Sequence, residues 1–286
     1  MVDDNATTPP LPPMPAELGR LLADGGAGRT LPVALPPGRL VVPDPDFDRG
    51  DGRPAYWLSD APAPAALWSR LHAAHRQSGL WPLLLEGMQT DPQRPWIDGE
   101  VDPEPTSEID RHDAATYLAG VWADRTQGKA YPDRDLKIAA PFGRDWPGLA
   151  APGEPMDDPE VAADRYARRL HDRKARLGLV AAERSADALA RIGWIGPCNH
   201  AETPPLAAVV RSWEDRFGVR VVRVGFDTLY LSVAAPPVTA EHALRVAAEH
   251  YAFCPDSIEQ GWDDVDDLAS YAERIHGQNL WSFWWD

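Results

Sequence analysis

The seven residues at the C-terminus constrain the fold more than any other segment. Residues 280–286 read Leu-Trp-Ser-Phe-Trp-Trp-Asp. Because successive side chains of a β-strand point to opposite faces, a strand here places Trp281, Phe283 and Trp285 on one face and Trp284 on the other. So aromatic a segment predicts a strand that is docked on a core rather than a free tail.

The residues before this strand predict three helices with marked ends. The first runs from an N-cap at Thr203 to the glycine at 218, and the second starts after Thr239. The third begins at Asp263 or Asp264 and stops at Gly277. Each helix needs a sheet or another helix on which to bury its apolar side.

Two strands and a polar helix face complete the prediction for this part. Val219–Val224 and Thr228–Val233 alternate around a Gly-Phe-Asp turn, which indicates an antiparallel hairpin. In the helix after this hairpin, His242, Arg245 and Glu249 recur at helical spacing, and we expect them on a polar stripe.

The N-terminal half predicts a strand-helix-strand unit. Strands are expected at Leu31–Leu35, Arg39–Val42 and Ala55–Leu58, followed by a helix within residues 64–79. Leu80–Leu85 is apolar throughout and is expected to be a buried strand.

The predicted fold class is α+β, with a C-terminal, mainly antiparallel sheet flanked by helices and preceded by an N-terminal α/β region. The expected divisions are a proline-rich arm or tail at 1–28, an N-terminal α/β region with long loops at 29–150, a basic helical connection at 151–176 and a C-terminal domain at 177–286. Within the N-terminal region, Ser107 is the expected N-cap of a further helix.

Charge narrows the classes of partner. The chain of 286 residues has a formal net charge of −16, so its average surface repels phosphate backbones and suits a basic protein partner. Residues 165–176 hold six basic side chains, which we expect to pair within the molecule rather than to bind nucleic acid. We therefore expect no nucleic-acid partner.

Compartment follows from the absence of targeting signals. The N-terminus is acidic and proline-rich rather than basic and apolar, and no later segment has the roughly 20 apolar residues needed to cross a bilayer. The two cysteines, Cys198 and Cys254, cannot form a disulfide framework; a single bridge between them is possible but is not required. These features favour a soluble protein of the reducing cytoplasm, without a membrane partner.

Four segments carry a resemblance to a known family. They are Arg211-Ser-Trp-Glu-Asp-Arg-Phe-Gly, Val224-Gly-Phe-Asp-Thr-Leu, Glu249-His-Tyr-Ala-Phe-Cys-Pro-Asp and Trp281-Ser-Phe-Trp-Trp-Asp. Together they resemble the bacterial domain of unknown function 4253, over roughly residues 177–286. The family has no assigned activity, so the resemblance implies a domain boundary and no catalytic residues.

Two cysteines and two histidines are the candidate reactive groups. Cys198, His200, His250 and Cys254 are a possible set of tetrahedral Zn²⁺ ligands, but their spacing matches no standard zinc motif. A Cys-His nucleophile pair is the other enzymatic reading, since an imidazole can activate a thiol. A buried structural thiol with a half-buried histidine is the alternative, and we expect no cofactor.

A pair of carboxylates gives a further candidate. Glu214 and Asp215 are able to serve as acid and base, but Arg211 and Asp215 stand at i, i+4, a spacing typical of surface helix pairs. The surface pair is the favoured interpretation of these residues.

The terminal strand carries the strongest binding candidate. Trp284 is expected to line a groove with Asp286, and His250 and Glu214 are further candidate binding residues. The hypothesis is a non-enzymatic binding protein, such as an acidic antagonist or immunity protein of a basic partner. The alternative is a hydrolase or metal-dependent enzyme that uses the four Cys and His residues.

Overall fold

A computed structural model describes residues 12–47, 52–128, 132–170, 174–260 and 265–286. Within these ranges seven strands form one sheet. The strands are β1 (Gly38–Val41), β2 (Tyr56–Pro62), β3 (Leu80–Leu85), β4 (Arg176–Ala181), β5 (Arg220–Val224), β6 (Thr228–Ser232) and β7 (Leu280–Trp284).

The sheet joins both halves of the chain in the order β1-β2-β4-β3-β5-β6-β7. β4 lies between β2 and β3 and is antiparallel to both. β3 and β5 are parallel, whereas the other neighbouring pairs are antiparallel. This confirms the α+β class, the mainly antiparallel sheet and the predicted β5–β6 hairpin.

The same ranges contain twelve helices. They are α1 (Ala16–Gly19), α2 (Ala65–Ala73), α3 (His75–Ser78), α4 (Thr106–Ile109), α5 (Ala114–Gln127), α6 (Pro132–Ile138), α7 (Pro159–Leu170), α8 (Asp187–Arg191), α9 (Thr203–Phe217), α10 (Ala240–Phe253), α11 (Asp256–Glu259) and α12 (Leu268–Ile275). Among the described residues, none of the helices is long and apolar enough to cross a membrane.

The sheet has a core on each face. The larger core contains buried side chains of β3, β5, β6 and β7 together with those of α5, α8, α9, α10 and α12. The smaller core is built on β2, β3 and β4 and is covered by α2, α7 and the N-terminal residues around Leu18 and Leu31. Since apolar side chains enter both cores from β3, its uninterrupted apolar sequence is explained by burial on two sides.

Two predictions for the N-terminal half are wrong. Leu31–Leu35 is an irregular segment rather than a strand, and it packs Leu31 and Val33 into the smaller core. Ser107 does not cap the long helix, since it lies inside the four-residue α4. Asp113 caps α5 instead, and its carboxylate accepts a hydrogen bond of 2.8 Å from the Thr116 amide.

Most helix ends in the C-terminal part follow local chemistry, but the N-cap of α9 is Glu202 and not Thr203 as predicted. α9 ends at Gly218, whose φ of 60° is the left-handed conformation that glycine adopts without strain. Thr239 caps α10 as predicted. The cap of α12 is Asp267, in a reciprocal capping box with Ser270; the two aspartates expected to cap it, at 263 and 264, lie outside the described residues.

Glu249 is not on a polar stripe, which corrects the expectation for α10. It has no exposed surface. Its carboxylate binds the Arg216 guanidinium at 2.6 Å and accepts the Trp213 indole N–H at 2.8 Å. A buried charge is tolerated only with such partners, and no sequence periodicity reveals them.

The basic segment on α7 pairs with acids inside the molecule. Arg165 contacts Asp157, and Arg168 contacts Asp164 at 3.0 Å. These contacts give acidic partners to two of the six basic residues of the run.

Candidate ligand-binding site

The terminal strand β7 divides its aromatic side chains as the alternation predicts. Trp281, Phe283 and Trp285 are each 2% exposed, and Phe283 stacks on Trp213 at a ring distance of 5.6 Å. Trp284 is half-buried on the opposite face. The three inward rings therefore hold β7 on the larger core, and Trp284 is left to face a cavity.

The cavity beside Trp284 has a volume of about 400 Å³ and lies where the parallel strands β3 and β5 end. We name it the Trp284 cavity; its walls are Glu86, Gly87, Met88, Gln89, Thr90, Gly225, Phe226, Asp227, Thr228, Tyr230 and Trp284. Ligands of open α/β sheets commonly bind outside the carboxyl ends of parallel strands. Its volume is within the range of small-molecule and side-chain pockets.

The turn between β5 and β6 places an acid on the cavity wall. The Gly225 amide donates to the Thr228 carbonyl at 2.8 Å, and a Cβ on Gly225 would lie 2.1 Å from the Thr228 hydroxyl oxygen. Only glycine fits this close approach. The Trp285 amide then donates to the Asp227 carbonyl at 3.1 Å, which ties the turn to the end of β7.

Asp227 and Trp284 form a polar-aromatic pair. The Trp284 indole N–H donates to Asp227 Oδ2 at 3.1 Å. Among the described residues, no basic side chain forms an ion pair with Asp227. The cavity therefore presents one carboxylate without a countercharge beside one indole ring.

The cations near the cavity already have acidic partners. Arg223 pairs with Glu86 and lies 5.4 Å from the Tyr230 ring centroid. Arg94 pairs with Glu100 at 2.8 Å and lies 5.4 Å from the Phe226 ring centroid. Two of the three aromatic rings of the wall are thus occupied by arginines of the chain itself.

Asp286 does not line the Trp284 cavity. Its backbone amide donates to Asp256 Oδ2 at 3.0 Å, and its carbonyl oxygen lies 3.2 Å from His200 Nε2. These contacts fix the chain end on the side of α11. The structure thus brings Trp284, but not Asp286, to the cavity.

Glu214 is a buried, fully bonded carboxylate. Oε1 accepts hydrogen bonds from the Ser185 hydroxyl and, at 3.0 Å, from the Ala186 amide, while Oε2 accepts from Arg184 Nε at 2.7 Å. It borders a separate cavity of about 330 Å³, together with Asp215 and Arg184. These bonds stabilise the charged carboxylate and join α8 to α9.

The expected Arg211–Asp215 surface pair is wrong. Arg211 instead bonds to Asp187 at 2.5 Å and Asp110 at 2.6 Å, and Asp215 accepts from Arg184 at 2.6 Å. Contacts between elements replace the local i, i+4 pair, because Arg211 faces α4 and α8 rather than solvent.

The two cysteines and two histidines are not gathered into one cluster. Cys198 is exposed, whereas Cys254 is buried and its thiol donates a hydrogen bond of 3.0 Å to the Trp284 carbonyl oxygen. His200 contacts Asp256 at 3.2 Å. Within the described ranges, no group of three or more His, Cys, Asp or Glu residues is arranged to hold a metal ion.

His250 and Cys254 have protonation states that oppose nucleophilic chemistry. Burial raises the pKa of the Cys254 thiol to about 12, so the reactive thiolate is not formed at neutral pH. Burial, assisted by the charge of Arg216, lowers the pKa of His250 to about 3. His250 Nδ1 lies 3.1 Å from the Tyr271 hydroxyl, and its ring is enclosed by aromatic side chains, so it belongs to the core.

Asp227 and the loop at residues 86–89 are parts of the site that the sequence does not predict. Asp227 was visible only as a turn residue, and the loop only as the end of a buried strand. The signal that brings them together is the parallel pairing of β3 with β5, which depends on long-range register rather than on a local pattern.

The fold and this site define a mixed α+β protein with an acidic-aromatic cavity at the end of its sheet. Residues 176–286 match the family model described as Domain of unknown function (DUF4253), which confirms the resemblance of the four segments. No curated protein and no solved structure matched the chain. The matched region supplies Phe226, Asp227 and Trp284, whereas the loop at 86–89 comes from outside it.

Proposed function

We propose that this protein is a binding protein that receives an arginine side chain of a basic protein partner in the Trp284 cavity. The observation that carries the proposal is the pairing of Asp227 with Trp284: a carboxylate without a countercharge beside an indole ring. A guanidinium group can hydrogen-bond to a carboxylate while it stacks on an aromatic face.

The charge of the whole chain supports a basic partner. A net charge of −16 attracts a positively charged protein over distances longer than a contact. Such long-range attraction speeds encounter, while the cavity selects the side chain that enters. An antagonist of a basic enzyme, of the immunity type, is one form of this function.

A guanidinium-specific binding experiment tests the proposal. The probe is a short glycine-arginine peptide, and its matched control replaces each arginine with citrulline, which keeps the shape and removes the charge. We expect the arginine peptide, and not the citrulline peptide, to shift the indole N–H resonance of Trp284. That resonance is assigned by its loss in Trp284→Phe.

Two variants of equal charge separate the cavity from general acidity. Asp227→Asn is expected to weaken binding of the arginine peptide about tenfold, which corresponds to about 1.4 kcal/mol for one charge-assisted hydrogen bond. Asp145→Asn removes an exposed acid elsewhere and is expected to bind as the wild type does. Equal affinity for both peptides, or an unchanged affinity of Asp227→Asn, would contradict the proposal.

A further inference from the structure

A second cavity has the opposite chemistry to the Trp284 cavity. Its volume is about 570 Å³, and it lies between the N-terminal segment that follows α1, the start of β2 and the end of α8. Three arginines line it: Arg20, Arg53 and Arg191. We name it the arginine cavity.

The charged side chains that line the arginine cavity are positive, whereas the chain as a whole is negatively charged. Among its described lining residues none is an aspartate or glutamate, although acidic residues outnumber basic ones by 44 to 28 in the sequence. Guanidinium groups that line one space attract an anion, because opposite charges attract most strongly where solvent is partly excluded.

Arg191 is the least solvated of the three. Burial lowers the pKa of its guanidinium, and the nearby Asp187 carboxylate only partly opposes this effect. Asp187 is already bonded by Arg211 at 2.5 Å. Arg191 Nε donates only a long hydrogen bond, 3.4 Å, to the Ala181 carbonyl.

Arg20 contributes to the cavity wall from the segment that follows α1. It is exposed, and within the described part of the chain it forms no ion pair. It follows a short segment whose Leu18 and Leu21 are buried in the smaller core at 2% and 5% exposure. The cation is therefore presented from an anchored backbone and not from a free tail.

We propose that the arginine cavity binds a small molecule that carries a phosphate group. Guanidinium groups bind phosphate oxygens through paired N–H donors, and the double negative charge of a phosphate suits several arginines better than one carboxylate does. Pro43, Pro54, Pro103 and Pro105 give the remaining wall an apolar, rigid surface for the body of the ligand. The volume accommodates a metabolite of ordinary size.

This site is independent of the proposed function. β2, which begins at the arginine cavity, and β7, which carries Trp284, are five strand positions apart in the sheet. At the usual spacing of neighbouring strands, β2 and β7 are about 24 Å apart. A phosphate ligand would join α8 of the family-matched region to the N-terminal segment.

Calorimetric titration of the full chain with inorganic pyrophosphate and with ATP tests the inference, and citrate is the carboxylate control. We expect saturable binding of at least one phosphate compound and at least tenfold weaker binding of citrate. Arg191→Gln is expected to weaken phosphate binding at least tenfold and Arg20→Gln about fivefold. Because Arg20 is exposed, its variant keeps the test valid if Arg191→Gln fails to fold.

Arg70→Gln is the matched control, because Arg70 is an exposed arginine on α2 that does not line the cavity. It is expected to bind as the wild type does. Hydrogen exchange gives a second readout: the phosphate compound that binds should slow exchange in residues 12–35. The inference is overturned if neither pyrophosphate nor ATP binds, if citrate binds as tightly, or if Arg70→Gln and Arg20→Gln lose affinity equally.

Discussion

Glu249 has no exposed surface, yet its carboxylate accepts four hydrogen bonds. Two come from Arg216, one from the Trp213 indole and one from the Ala150 amide. The acid therefore fastens α9, α10 and the segment around residue 150 to each other. Its charge depends on partners from two distant parts of the chain, α9 and the segment around residue 150, which explains why helical spacing alone misplaced it on the surface.

Replacing Glu249 with glutamine is expected to destabilise the protein by about 3–5 kcal/mol, because the Arg216 charge would remain buried without its countercharge. Urea denaturation measures this loss. Glu241→Gln is the control on the same helix, because Glu241 is 85% exposed and forms a long ion pair of 3.8 Å with Arg245. The expected change in the free energy of unfolding is within about 0.5 kcal/mol. A similar loss for both variants would show that Glu249 has no special role.

His250 predicts how stability depends on pH. Its pKa falls from the ordinary 6.5 to about 3 in the fold, chiefly because it is buried. Between these values the unfolded chain binds a proton that the folded chain does not. The contribution is fully present above pH 6.5 and is lost as the pH falls towards 3, by up to about 1.4 kcal/mol per pH unit.

His250→Phe is therefore expected to have a shallower loss of stability between pH 6.5 and 4.5 than the wild type. Urea denaturation at several pH values measures both slopes. Phenylalanine keeps an aromatic ring among Trp213, Trp281 and Phe283, which contact His250 now. Identical slopes would mean that the histidine is protonated in the folded state.

Helix ends show which elements were predictable. The end of α9 at Gly218 follows from the sequence, since a glycine after an amphipathic run adopts the left-handed conformation. The four-residue α4 could not be predicted from the sequence, because so short a helix has no periodicity and is held by its neighbours α8 and α9. The alternation in β7 was predictable because its aromatic residues face a core on one side only.

Two glycine variants test this reading of the helices. Gly218→Ala is expected to cost more than about 1 kcal/mol, because φ is positive there and the new Cβ would lie 2.9 Å from the Ala234 Cβ. Gly120→Ala, in the exposed interior of α5, meets no atom within 4 Å and is expected to be neutral or to stabilise by up to about 1 kcal/mol. Thermal unfolding compares them, and equal effects would contradict the helix-end argument.

At the scale of the whole molecule, the continuous sheet was harder to predict than its parts. β3 was recognisable as a strand, but its place in the sheet depends on pairing with β4 across residues 86–175. The Trp284 cavity was only half predictable for the same reason. Trp284 followed from alternation, whereas the opposite wall at 86–89 is brought there by β3 pairing with β5.

The family-matched region is expected not to fold alone. A fragment of residues 176–286 keeps β4 to β7 but lacks β2 and β3, so β4 loses both of its neighbours and β5 loses one. We expect poor dispersion in the amide NMR spectrum of the fragment and a single cooperative unfolding transition for the full chain. A dispersed, native-like spectrum of the fragment would show that the sheet divides into independent units.

The position of β4 also sets the order of events on the ribosome. β2 and β3 are synthesised before β4, the strand that lies between them in the sheet. β4 follows only after residues 86–175 have been made. During synthesis β2 and β3, which are rich in apolar side chains, thus each have an edge that is not yet paired with β4. Such non-local pairing slows folding and exposes nascent strands to aggregation, so chains that end before β4 are expected to aggregate more readily than the full chain does.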